Sequence, residues 1–207
     1  MNSVYKIIIF LPLLILGCVS KQIDKNSINQ EIDTLNLNKY SKEGNKIYTV
    51  ESPSSNYDVI SNILNLKETT IHLYEKNNLK YIITSNKSQL SNNHNKLSLS
   101  GNVKLINKDQ ENEILTAEKF IWNINNSNYI LKGNVKIENT NLVLTSNKAI
   151  LNQDNIIEFY NPVNYINKEN NNEGKYEIIS ENALYNVITK SVKFNSKDKR
   201  VRSTIYF

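Results

Sequence analysis

The chain has 207 residues, of which 39% are hydrophobic, so it is long and apolar enough for one domain with its own core. Its formal net charge of +5 is spread over single lysines without an arginine-rich helix, which argues against a nucleic-acid partner and is compatible with an anionic membrane surface. Twelve tyrosines against five glycines and three prolines favour strands over helices.

The amino terminus has the features of a lipoprotein signal peptide. Lys6 precedes ten apolar residues, 7–16, which as a helix would span about 15 Å and are too few to cross a bilayer. The following residues, Ile15-Leu16-Gly17-Cys18, resemble the bacterial lipobox, in which the cysteine becomes the lipid-modified first residue. We predict a signal peptide over residues 1–17 and lipid attachment at Cys18; the alternative is an incidental thiol in an uncleaved segment.

Residues 18–56 are polar and weakly periodic, and they end in a cluster of chain-breaking residues at 52–56. This composition predicts a lipidated amino terminus followed by a flexible tether, with the folded domain over residues 57–207. A short strand at residues 46–51 or an amphipathic helix around residues 28–37 are the alternatives inside the tether.

Strand patterns begin after residue 57. Residues 60–66 and 69–74 have strand composition, and residues 76–78 are typical of a hairpin turn that leads into a strand at 79–84. A succession of antiparallel strand pairs is therefore expected from this point on.

Two short motifs then alternate along the chain. Gly-Asn-Val-Lys begins at Gly101 and at Gly133, inside runs where apolar and polar residues alternate. The second motif, Thr84-Ser-Asn-Lys-Ser-Gln-Leu90, has looser copies that begin at Thr116, Thr145 and Ile179. Gly101 and Gly133 each lie 17 residues after a copy of the second motif, as does Pro162. This register predicts a repeated unit of two strands, and the glycines inside strands predict a bend or a close approach between sheets.

The alternating runs LSLSGNVKL, LTAEKFIW, YILKGNVKI and LVLTSNKAIL resemble the OstA-like family of bacterial lipopolysaccharide-transport proteins, which includes LptA and LptC. The resemblance covers about residues 60–190. It implies an all-β fold: a β-jellyroll of two antiparallel sheets in a V, with an apolar interior and open ends.

The resemblance also implies a function. A single amino-terminal tether before one jellyroll is similar to the LptC kind, a membrane-tethered periplasmic component of a bridge that exports lipopolysaccharide or a related glycolipid. Such a component receives lipid from an inner-membrane ABC transporter and passes it to a following LptA-like jellyroll. A lipobox in place of a transmembrane helix does not determine which membrane holds the protein. A lipid-anchored periplasmic location is expected, with the inner membrane favoured and the outer membrane as the alternative.

Under this hypothesis, apolar residues of the repeats line a groove for acyl chains, and the same residues simply fill a closed core under the alternative. The predicted lining residues are Leu99, Val103, Leu105, Phe120, Trp122, Leu131, Val135, Ile137, Leu144, Phe159 and Val163. The last strand, with Val201, Ser203, Ile205 and Phe207, or the one before it at residues 191–195, is predicted to pair with the next jellyroll.

A catalytic or metal constellation cannot be assembled from the sequence. His72 and His94 have no cysteine or carboxylate at metal-ligand spacing, and neither a phosphate-binding loop nor a nucleophile elbow is present. We expect a chain without enzymatic activity, cofactor or metal. The alternative function is a lipoprotein adaptor that uses the jellyroll for protein contacts and carries no lipid.

Overall fold

The structure is a computed structural model, and it describes residues 29–91, 95–109, 112–124, 128–152, 155–168, 175–196 and 200–206. The predicted signal peptide, Cys18, His94 and Phe207 lie outside these residues. The strands are β1 Asn29–Tyr40, β2 Lys46–Asp58, β3 Ile63–Glu75, β4 Asn78–Ser91, β5 Lys96–Asn107, β6 Ile114–Asn123, β7 Asn128–Glu138, β8 Leu142–Leu151, β9 Ile156–Asn167, β10 Lys175–Asn186, β11 Val192–Asn195 and β12 Arg202–Tyr206.

All these strands belong to one antiparallel sheet, in which each strand from β1 to β11 pairs with the next one along the chain. The last two strands share a partner: β11 pairs with residues 182–185 of β10, and β12 pairs with residues 175–179 of the same strand. The described sheet therefore has β1 at one edge and β11 with β12 at the other.

The sheet bends along a line that crosses the middle of its strands. Pairing is interrupted there, for example between Ser100 and Val103 of β5 and between Thr116 and Lys119 of β6. The bend divides the sheet into half-sheet 1, which includes residues 96–100 and 119–123, and half-sheet 2, which includes residues 103–107 and 114–116. Half-sheet 1 folds over half-sheet 2, so that strands that are not neighbours in the sheet are in contact. For example, Tyr48 of β2 packs edge-on against Trp122 of β6. The predicted all-β jellyroll is confirmed, and its two sheets are the halves of a single sheet.

The two sequence motifs meet at this bend. Gly133 has a φ of +73°, in the left-handed region that glycine adopts without strain, and the following Asn134 has a φ of +46°. A Cβ atom on Gly133 would lie 2.2 Å from the Glu118 carboxylate, and one on Gly101 would lie 3.2 Å from Asn86. Because Asn86 and Glu118 are both the third residue of the second motif, the fixed spacing in sequence reflects a contact at the bend.

A buried serine marks the bend in β2, β4, β8 and β10. Its hydroxyl donates a hydrogen bond to the carbonyl two residues further on, as Ser146 Oγ does to Lys148 O at 2.9 Å and Ser180 Oγ to Asn182 O at 3.0 Å. Ser52 and Ser85 repeat this contact. The bond satisfies a polar group inside the fold, where an unpaired one would be costly.

The tether prediction is contradicted over residues 29–56, which form β1 and most of β2. Val50 is fully buried, and Ile32, Leu35 and Leu37 pack against the core. The alternation of Ile32 and Leu35 is out of phase because the bend passes through Thr34, whose φ is +58°. The chain-breaking residues of β2 lie at the same bend, so they turn a strand instead of ending a tether, and the helix alternative is also wrong.

The two strands expected at residues 60–66 and 69–74 are a single strand, β3, bent at Glu68 with a φ of +48°. The hairpin turn that follows is where the sequence predicts it, at Lys76 and Asn77 between β3 and β4.

Candidate functional site: the interior and the edges of the jellyroll

All eleven predicted lining residues lie on the inner face of the folded sheet. Each is at most 7% exposed, and together they belong to one cluster of buried side chains between the half-sheets. The structure thus brings the predicted set together. These residues pack against one another and fill a closed core.

Aromatic rings fill one side of this interior. The Trp122 ring stacks on Tyr129 with centroids 5.6 Å apart and meets the edge of Tyr48 at 5.3 Å, while Phe120 lies 5.8 Å from Tyr129. Such contacts add to the free energy gained from burying the rings. Desolvation of the hydroxyl raises the pKa of Tyr129 to about 12.

One buried polar atom in this cluster lacks a partner. Trp122 Nε1 finds no hydrogen-bond acceptor among the described residues, although the side chain is only 3% exposed. A buried donor without an acceptor costs about 1–3 kcal/mol. The aromatic side of the interior therefore offers one free N–H group.

Another part of the interior is closed by a polar contact. The Glu113 carboxylate, only 7% exposed, accepts hydrogen bonds from Tyr185 Oη and Lys190 Nζ, each at 2.5 Å. Burial raises the pKa of Tyr185 most, and the Glu113 carboxylate raises it further. Glu113 and Tyr185 are 72 residues apart in sequence, so nothing in the local pattern could have predicted this pair.

Two spaces flank this contact. On the inner side lies a void of about 20 Å³ between Leu105, Ile137 and Ile157, large enough for one water molecule and too small for an acyl chain. On the outer side lies a depression of about 580 Å³, whose lining includes Asn141 and Tyr176. Glu113 touches both, so it stands between the core and the solvent at this end.

The edge predicted to pair with a partner is exposed and partly apolar. Ile205 of β12 is 58% exposed and Val201, just before it, is 45% exposed; Ser203 is exposed as well. Ile179 of the adjacent β10 is 49% exposed. Among the described strands β12 pairs with β10 alone, so its other side presents unpaired backbone groups.

Within the described ranges no group of three or more histidine, cysteine, aspartate and glutamate side chains is arranged to hold a metal ion. The described part of the chain also contains no helix that is long and apolar enough to cross a membrane.

An antiparallel sheet that folds around an apolar interior and leaves its edge strands unpaired defines an open-ended β-jellyroll. The sequence matches the family described as lipopolysaccharide-assembly, LptC-related, over residues 15–146. The match covers more than half of the chain, which therefore belongs to this family, and the predicted resemblance is confirmed. Proteins of this family are components of lipopolysaccharide transport in the cell envelope and are not enzymes.

The match to solved structures is distant. The crystal structure of LptH, the LptA-homologous periplasmic component of the lipopolysaccharide transport device of Pseudomonas aeruginosa, is similar to this chain at 10% identity with a TM-score of 0.30. The similarity covers 77% of this chain and 94% of LptH. No curated protein sequence matches the chain.

Proposed function

We propose that this chain is a membrane-tethered, lipid-binding periplasmic component of a bridge that exports lipopolysaccharide or a related glycolipid. It receives lipid from the subunits of an inner-membrane ABC transporter and passes it to a following LptA-like jellyroll. The observation that carries the proposal is the inner face of the sheet, which is apolar from β2 to β10 and belongs to two half-sheets joined only through bent strands.

Lipid enters when the half-sheets part. Each methylene of an acyl chain that leaves water contributes about 0.8 kcal/mol, so a lipid with several chains can offset the loss of core contacts. The Trp122 N–H group, unpaired in the closed core, then finds an acceptor in an ester or amide carbonyl of the lipid. The polar contact of Glu113 with Tyr185 and Lys190 closes the interior toward the solvent, so it separates when lipid enters.

The carboxyl-terminal edge is proposed to pass the lipid on. A strand of the next jellyroll that pairs with β12 would satisfy its unpaired backbone groups and cover Ile205. The two sheets would then be continuous, and so would their apolar interiors. The amino terminus, lipid-modified at Cys18, would hold the chain on the membrane, with the inner membrane favoured.

Photo-crosslinking tests this function in the full chain. A photoreactive phenylalanine analogue replaces Tyr129, whose ring packs in the interior, or as a control Tyr74, whose ring lies on the outer face of β3. The exchange of one aromatic ring for another limits the disturbance of the core. We expect glycolipid adducts at Tyr129 and few at Tyr74. The same analogue at Ile205 is expected to capture a jellyroll partner.

Equal or absent lipid adducts at Tyr129 and Tyr74 would rule out the lipid-binding interior. The second candidate function is then a lipoprotein adaptor, which the closed packing of the interior favours. An adaptor retains the protein adduct at Ile205, and the chain purified in mild detergent releases no lipid in a mass spectrum.

A further inference from the structure

Lysines of five strands lie in one row across the outer face of half-sheet 1. Lys67 of β3 is directly opposite Lys87 of β4, and Lys132 of β7 stands between Lys119 of β6 and Lys148 of β8. Ser100 of β5 occupies the one position between Lys87 and Lys119. With strands about 4.8 Å apart, the row is about 24 Å long.

This lysine row has little compensation within the protein. Like charges directly opposite each other destabilise a sheet. Ion pairs form at Lys80, Lys136, Lys168 and Lys190, and none of these lysines belongs to the row. Lys148 lies over the Tyr160 ring, with its Nζ atom 5.0 Å from the ring centroid. A surface that keeps five cations in register without carboxylate partners is complementary to an extended anionic surface.

Among the residues that the structure describes, carboxylates lie at the borders of the row. Asp33 of β1 continues it beyond Ser54 of β2, and Glu31 lies two residues away on the same strand. They and the first three lysines line a depression of about 730 Å³. At the other end, Glu158 accepts a hydrogen bond from the Tyr160 hydroxyl. At the bend, Glu118 accepts one from Asn134 Nδ2. The densest positive charge therefore lies at Lys119, Lys132 and Lys148.

An apolar row runs beside these three lysines. Ile121, Ile130 and Ile150 are directly opposite one another on β6, β7 and β8, and each is two residues from the row lysine of its own strand. All three face outward and are partly exposed. Cations beside outward apolar side chains form the pattern of a membrane-resting surface, in which the charges meet phosphates and the apolar groups reach below them.

The chain length outside the sheet brings this face within reach of a membrane. Asn29, the first residue of β1, comes eleven positions after Cys18, which is at most about 40 Å of extended chain. Asn29 lies on half-sheet 1, since it pairs with Asp58 at the same end as the row. The half-sheet that carries the lysines is therefore the one that the anchored segment enters.

We propose that the lysine row and the adjoining isoleucines rest on an anionic bilayer leaflet and fix the orientation of the jellyroll on the membrane. This inference rests on the proposed anchoring of the amino terminus. The fixed orientation holds half-sheet 1 against the lipid and leaves half-sheet 2 and the β12 edge toward the periplasm.

Lysine labelling tests this orientation on the full chain. The protein is reconstituted in vesicles of phosphatidylcholine, with or without phosphatidylglycerol, and treated with a water-soluble acylating reagent before each lysine is quantified by mass spectrometry. We expect Lys119, Lys132 and Lys148 to be labelled several-fold more slowly on the anionic vesicles. The internal control is Lys104, an exposed lysine on the outer face of half-sheet 2, whose labelling is expected to stay the same. High salt should remove the protection, because it screens the attraction.

A variant with Lys119→Gln, Lys132→Gln and Lys148→Gln should then label Lys67 and Lys87 equally on both kinds of vesicle, whereas Lys104→Gln should leave their protection intact. Equal labelling of the row on the two kinds of vesicle overturns the proposal. Protection of the row in detergent that is as strong as on anionic vesicles also overturns it, because it would indicate a protein partner on this face. Loss of the chain from phosphatidylcholine vesicles shows a failure of the anchor alone. The labelling ratio is in that case measured between anionic vesicles and the chain in solution.

Discussion

The inner and outer faces of this sheet are built from the same strands and differ in almost every other respect. Leu131 is 1% exposed in the core, while Lys132, the next residue of β7, is exposed in the lysine row. Burial of apolar surface stabilises the protein through the inner face, whereas charged side chains stay in contact with water on the outer one. Stability and surface recognition are therefore assigned to alternate residues, so single substitutions can separate them.

The largest loss of stability is expected from a cavity in the core. Leu131→Ala should lower the free energy of unfolding by about 2–5 kcal/mol, since the residue is fully enclosed and its neighbours cannot close the space entirely. Ile130→Ala, one residue away on the outer face, should cost well under half as much. Urea unfolding followed by circular dichroism measures both. Equal losses would mean that the outer isoleucines also belong to a packed core.

The inner face could be predicted because its pattern is local and repeated. Period-two alternation predicts the buried residues of β5 and β7, and the glycines inside these strands predict a bend or a close approach between sheets. The sequence pattern did not predict β1 because the bend at Thr34 shifts the alternation of this strand, which contributes only partly buried residues to the core. In β2 the chain-breaking residues at the bend had the same effect. Alternation therefore identifies a strand only where the bend leaves its phase intact.

The outer face and the polar end could not be predicted in this way. Lysines that are scattered singly in the sequence form a row only after the register shifts at the bend are known, for example between Thr84 and Lys87. Likewise, Glu113 finds Tyr185 through the folding of one half-sheet over the other. Both features depend on contacts between residues that are tens of positions apart in the sequence, and a local pattern gives no information about such contacts.

The bend, where the two faces exchange phase, is the next place to test. Gly133→Ala should cost about 1–2 kcal/mol for the left-handed backbone, and more because its Cβ would displace the Glu118 carboxylate from Asn134. Gly44→Ala is the matched control, since Gly44 has a φ of +83° with nothing within 4 Å of the added atom. Urea unfolding should show the larger loss at Gly133. If both substitutions cost the same, the contact between the two motifs does not stabilise the bend.

The smallest effect is expected in the dependence of the free energy of unfolding on alkaline pH. Burial raises the pKa of Tyr129 to about 12 and that of Tyr185 as well, so the native protein keeps protons that the unfolded chain loses near pH 10. The stabilisation is complete below pH 10 and is lost as the pH rises toward 12, by at most about 1.4 kcal/mol per pH unit for each group. Tyr129→Phe should flatten this alkaline decline, whereas Tyr40→Phe, at a ring that is 53% exposed, should leave it unchanged. An identical decline in both variants would mean that the interior admits water around Tyr129, and the half-sheets would then part far more readily than their packing indicates.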